Sequence, residues 1–408
     1  MGTENRLVDA TCRNKIIYRG HVTKAPTRAP PQLIVLMLVL VGAVAQSSTP
    51  LLAQNSTNSA NGLLSNLSPL LTAANSLNQG QESQLQLQTN SLAQTYAFIN
   101  NITSLINSLT PATLGAVMSC PVFADQGTLL GEGSCAWANS TGRRIDQSDA
   151  DGASGYITDY VTYSLGGQKE IAPSWFVGSS LSMGTTWTRN DSGGTGHGQI
   201  FGGGVTLKHT IGPWLFAGAI ALGTTSNYSN NSVSGLPGVS SLQSDTNAFF
   251  TGARLRAAYD FAFGAWYVRP RADLDIIYTH VPAFQVSGQS GSVVSVPGLD
   301  KVSPILSPMV EFGGRYDLDQ QTILRPYLAV GMSIYPSNTT IATASVIING
   351  ATTVAFQNSL KAPSVVGNAD FGVQLYQVGG FEVKAEYDVS AADAYLSQSI
   401  SLRGAYHF

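Results

Sequence analysis

"WYVRPRADLDIIYTH" runs from Trp266 to His280 and holds two surfaces in one line of residues. The even positions, Trp266, Val268, Pro270, Ala272, Leu274, Ile276 and Tyr278, are apolar. The odd positions, Tyr267, Arg269, Arg271, Asp273, Asp275, Ile277 and Thr279, carry the charges. Alternate side chains of an extended chain point to opposite faces, so a period of two reads as a strand with one oily and one wet side. Its length exceeds the roughly five or six residues usual in soluble sheets.

The alternation returns along the chain. "GFEVKAEYDVS" (380–390) sets Phe381, Val383, Ala385, Tyr387 and Val389 against Glu382, Lys384, Glu386 and Asp388. "NADFGVQLYQ" (368–377) and "SWFVGSSLSMGTTWT" (174–188) repeat it with smaller polar residues. Strands are expected at 133–146, 154–165, 173–188, 197–210, 213–225, 245–260, 264–280, 302–316, 321–335, 363–377, 379–390 and 396–408. The least regular is "GYITDYVTYSL" (155–165), where neither face is cleanly apolar. Tight turns at 210–213, 261–263, 317–320 and 377–380 swap with long connections near 226–244, 281–301 and 336–362. Short turns on one rim and long loops on the other mark an outer-membrane β-barrel.

Composition agrees. Only 11% of the 408 residues are charged, against about 25% in ordinary proteins. Mean hydropathy is +0.08, too polar for a bundle of membrane helices. A net charge of −3 excludes nucleic acid as a partner, because such a surface is basic. The fold expected is therefore all-β, a transmembrane antiparallel barrel of about twelve strands. Arg254, Arg256, Arg269, Arg271, Asp273, Asp275, Glu311, Arg315, Arg325, Glu382, Lys384, Glu386 and Arg403 are expected to line its lumen. An Arg or Lys facing lipid at midplane costs ~2–4 kcal/mol. Two readings of these charges stand open: polar contacts that hold a plug, or cross-strand pairing that stiffens the wall. Trp175, Trp187, Trp214, Trp266, Tyr278 and Tyr335 suit the interfacial girdles.

Ahead of the barrel the sequence changes character. Basic residues from Arg6 to Arg28 precede the apolar run Leu33–Ala45, which ends Ala43-Val44-Ala45. That order makes residues 1–45 a secretory signal peptide; an uncleaved anchor is the alternative. Residues 46–80 are rich in Asn, Ser, Thr, Gln and Leu and show no sustained period, so they read as a low-complexity segment or linker. In the region 81–132, Leu92, Tyr96, Ile99, Ile102, Ile106 and Leu109 recur at helical spacing, with the helix expected to stop at Pro111. Between Gln46 and Phe123 the only charged side chain is Glu82, odd for a helix in water. Cys120 and Cys135 form an even pair in an oxidising compartment and are expected to bond, two free thiols being the alternative. With no histidine close by in sequence they make a poor zinc site, and no metal or other cofactor is implied. No Gly-x-Ser-x-Gly elbow or histidine motif appears, so no catalytic residue is assigned and no enzyme is expected.

Signal run, helix, the opening strand "CAWANSTGRR" (135–144) with Trp137, and the closing "SISLRGAYHF" (399–408) stand in an order that resembles a monomeric autotransporter of type V secretion. The resemblance covers roughly 81–408. It implies a helix threaded through the pore of a translocator barrel at 133–408. It also implies a terminal strand, Ile400, Leu402, Tyr406 and Phe408, read by the barrel-assembly machinery. Outer-membrane lipid and periplasmic chaperones follow as partners, with the barrel acting as a monomer. The function so implied is export or display of the chain's own N-terminal segment at the cell surface. A passive porin and an adhesin working through its long loops are the rival readings. Some members cut their own helix at an Asn pair, which would fall on Asn100 and Asn101 here. The acidic pattern that flanks such a pair is missing, and passengers of the family are commonly much longer than residues 46–80.

Overall fold

A computed structural model of the chain describes residues 79–408, except 119, 124–127, 150–152, 233–240, 290, 349–350 and 378–379. The signal and residues 46–78 lie outside the described residues, and residues 79–80, expected in the low-complexity segment, already belong to the helix. Twelve long strands close into a barrel. They are β1 (Cys135–Gln147), β2 (Tyr156–Ala172), β3 (Trp175–Asn190), β4 (Thr195–Ile211), β5 (Trp214–Ser232) and β6 (Ser241–Tyr259). After them come β7 (Trp266–Val281), β8 (Leu299–Gly314), β9 (Thr322–Ile334), β10 (Val365–Gln377), β11 (Phe381–Ala392) and β12 (Tyr395–His407). Neighbours pair antiparallel, and β12 returns to β1 from Tyr395↔Gln147 to His407↔Cys135. Closure is what lipid demands, since a free sheet edge there would leave backbone N–H and C=O groups without partners.

Outside, the apolar face of each strand lies open to the bilayer: Leu181, Phe201, Ile220, Leu255, Ile276 and Phe312 are all exposed. Ile400, Leu402, Tyr406 and Phe408 share this outer face. Trp175, Trp214 and Trp266 begin strands at the rim of short turns. One of those turns reverses at Gly212, whose φ of 56° lies in the left-handed region that favours glycine. Tyr335 departs from the girdle: it follows β9 and packs inward on an apolar cluster.

Inside, helix α1 (Gln79–Ala116) threads the lumen. Leu92, Ile99, Ile102, Ile106, Leu109 and Leu114 are each at most 3% exposed. From Leu92 onward the helix carries no charged side chain and is largely buried, and a buried helix needs no charged face. Pro111 does not end it; α1 continues to Ala116. A mid-helix proline costs ~3 kcal/mol by removing one amide donor, and enclosure by the barrel wall offsets that. The irregular β2 has the same cause: its inward Tyr156 and Tyr160 pack on Leu105 and Leu109. One of its faces meets lipid and the other meets the helix.

The helix has a direction. Val117 and Met118, at its C-terminal end, lie beside Lys208 near the short-turn rim. Leu92, Tyr96 and Phe98 lie at the opposite rim. The long connections there are more ordered than loops: Phe284–Gly288 pairs with Gly291–Val296, and Thr339–Ile348 with Ala351–Lys361. Val294↔Val346 joins the two hairpins, and their inner residues close over α1. The helix meets a wall of small residues, Ala217, Ala219 and Ala221 among them. At Gly252 a Cβ would come within 2.4 Å of Thr110 Cγ2. Overpacking of this kind costs ~1–3 kcal/mol. Gly252→Val should therefore lower the unfolding free energy of the barrel in detergent, taken from denaturant titration, by that order, whereas Gly142→Val, at a site open to 4 Å, should not.

Candidate functional site, the plugged lumen

Charged residues gather on the inner wall of β6–β12. Arg254 donates from Nε and Nη2 to the two carboxylate oxygens of Asp275, each at 2.6 Å. Arg256 grips Asp273 in the same way at 2.7 Å. Both pairs are direct cross-strand neighbours of β6 and β7, so ladder register decides who meets whom. Arg325 donates to Glu311, to the Tyr267 hydroxyl at 2.7 Å and to Gln374 at 2.6 Å. Arg271 faces Asp370 at 3.3 Å. Lys384 pairs with Glu386 at 2.8 Å, and Tyr327 donates to the same carboxylate. Arg403 and His407 converge on Glu382 at 3.5 and 2.6 Å.

Two further cations sit at turns. Arg315, after β8, meets Asp317 at 2.9 Å. Arg269, near the start of β7, lies 3.2 Å from Asp260 in the preceding turn. Burial pushes the Asp260 carboxyl up to about 6, against the pull of that guanidinium.

Most of these charges pair with one another rather than with the plug. The contacts that do reach the helix region come largely from residues the sequence reading passed over. Arg143 donates to Ser108 at 3.2 Å and to Ser399 at 3.1 Å, tying α1 to the seam of the barrel. Lys208 Nζ donates to the Met118 carbonyl at 2.8 Å and to Glu132 at 2.6 Å. The Lys208 and Glu132 side chains are 0% and 3% exposed. A cation just beyond a helix C-terminus also complements the helix dipole. Alternation along "GVTLKHT" (204–210) puts Lys208 opposite Val205 and Leu207, so its inward aim was legible. Its partners were not.

A disulfide joins Cys120 to Cys135, with Cα atoms 6.3 Å apart. Both residues are fully buried, and Arg403 Nη2 lies 3.7 and 3.6 Å from the two sulfurs. Asn100 and Asn101 both lie in α1 inside the pore. The Asn101 carboxamide donates to Thr158 and accepts from Thr188, neither of them acidic.

The sequence model of the autotransporter β-domain matches residues 136–388. The chain belongs to that family, and its barrel is an outer-membrane translocator domain. Among solved structures it is similar to the translocator domain of NalP from Neisseria meningitidis, at 12% identity and a TM-score of 0.54, covering 77% of this chain and 97% of that one. The transport unit of AIDA-I from Escherichia coli is similar at 12% identity and 0.51, covering 74% and 97%. The β domain of Bordetella BrkA is similar at 17% identity and 0.50, covering 68% and 100%. At such identities the likeness is one of fold. Comparison with curated proteins gives no match.

Removing one partner of a buried ion pair costs ~3–5 kcal/mol, because the other charge stays behind in low dielectric. Arg325→Met takes the paired cation from buried Glu311, leaving it the Tyr267 hydroxyl as donor, and should lower barrel stability by up to that order in urea titrations followed by heat-modifiable gel mobility. Arg144→Ala, at a half-exposed outer rim pair, should shift it by less than about 0.5 kcal/mol.

Proposed function

We propose that the barrel carries the chain's own segment 46–80 across the outer membrane and afterwards retains α1 as the plug of its pore. The single observation that supports this reading is the direction of α1, whose C-terminal end meets the short-turn rim while the earlier residues Leu92, Tyr96 and Phe98 meet the long hairpins. Short turns belong to the periplasmic side and long loops to the outside. A chain threaded in that sense has its earlier residues leaving towards the surface, as an exported segment must.

A porin needs a water-filled lumen, and a lumen occupied by an enclosed helix weighs against that rival. Helical backbone and a Thr-bound carboxamide at Asn101 weigh against self-cleavage, so the reading keeps α1 intact. The outer face of β12, with Ile400, Leu402, Tyr406 and Phe408, would be read by the barrel-assembly machinery after delivery by periplasmic chaperones. The barrel works in this reading as a monomer.

The test is an epitope tag at residue 60 in the full chain, with protease added to intact cells. Cleavage of the tag while a periplasmic marker stays whole is the expected result. A tag digested only after the outer membrane is opened would end the export reading.

A further inference from the structure

The segment between helix and barrel does more than connect them. Pro121–Phe123 and Leu130–Glu132 pair as a small hairpin, with Phe123↔Leu130 facing. Its contacts run around the ring of strands rather than along one side. Cys120 is bonded to Cys135 of β1. From β2, Gln168 donates to Glu132 at 3.0 Å and to the Gly133 carbonyl at 2.9 Å. Lys208 of β4 holds Glu132 at 2.6 Å. Thr128 donates to the Gly264 carbonyl in the turn before β7. The Phe123 ring sits 6.2 Å from that of Tyr267 on β7, under the Arg315 guanidinium at 5.4 Å. The Phe123 amide donates to the Tyr376 hydroxyl of β10 at 3.1 Å, and Ile323 of β9 completes the cluster.

Contacts with β1, β2, β4, β7, β9 and β10 are shared among Cys120, Phe123, Thr128, Leu130, Glu132 and Gly133, which can make them together only by lying across the mouth. We propose that this disulfide-fastened hairpin is a second stopper, which closes the periplasmic mouth to ions independently of the helix above it. Cys120–Cys135, the Gly133 amide donating to the Cys120 carbonyl at 3.1 Å, and Lys208–Glu132 fasten its base. The pore is thus closed twice, by α1 from Leu92 onward and by the hairpin at its foot. This holds whether or not segment 46–80 is exported.

The barrel ladder is complete within 135–408, so removing α1 breaks no strand pairing. Planar-bilayer conductance of the full chain, of a variant lacking residues 79–116, and of that variant with Cys120→Ser, Cys135→Ser and Lys208→Met provides the test. Heat-modifiable mobility confirms a folded barrel in each. Helix deletion alone should leave conductance close to that of the full chain, and the added substitutions should raise it several-fold. A several-fold rise on helix deletion alone overturns the proposal, as does low conductance in all three. Amide hydrogen exchange on the full chain gives an independent reading. Phe123 and Gly133 should be protected to the same degree as mid-strand amides, and exchange at the rate of an open linker would overturn the proposal too.

Discussion

In hydrocarbon no water is available to satisfy a backbone amide or carbonyl, and the rest of this molecule answers that constraint. Every strand must find two neighbours, so β12 pairs with β1 along its whole length. Once the sheet is closed, each strand acquires an outside that must be apolar and an inside free to be anything else. The alternation in Trp266–His280 records that division directly. It also explains how a chain with so few charges concentrates them on one side of a few strands.

A ring of twelve strands encloses more space than its own side chains fill. Here the space is occupied by the chain itself, in two different ways. The upper lumen packs Leu92, Phe98, Ile99 and Ile102 against Leu242, Phe250, Ile277 and the hairpin residues Phe284 and Val346. The lower lumen uses ions: Arg254 with Asp275, Arg325 with Glu311, Lys208 with Glu132. Apolar packing at one end tolerates no water, while buried pairs at the other are costly to break singly. Together they fill the lumen around a helix that carries no charged residue from Leu92 onward.

The charged wall belongs mainly to the barrel rather than to the plug. Arg254–Asp275 and Arg256–Asp273 are register pairs of adjacent strands. They brace the wall as cross-strand pairs do in any sheet. Helix fastening falls instead to Arg143 and Lys208, cations that reach across to Ser108 and to the Met118 carbonyl. The charges read from the alternation thus pair mainly within the wall, and the two cations that reach the helix region lie outside that set.

Period-two alternation made the barrel, its approximate strand number and the inner or outer aim of side chains in the regular strands legible from residues alone, because strand geometry is local. Helical spacing from Leu92 to Leu109 and the want of charge around it pointed to an enclosed helix for the same reason. Pro111 misled, since the cost of a proline is local whereas the enclosure that offsets it comes from distant strands. The hairpins over the helix, the partners of Lys208 and the contacts of Phe123 with Tyr267 and Tyr376 appeared only in the folded ring. They join residues far apart in the chain, and spacing along a sequence carries no measure of distance across a lumen.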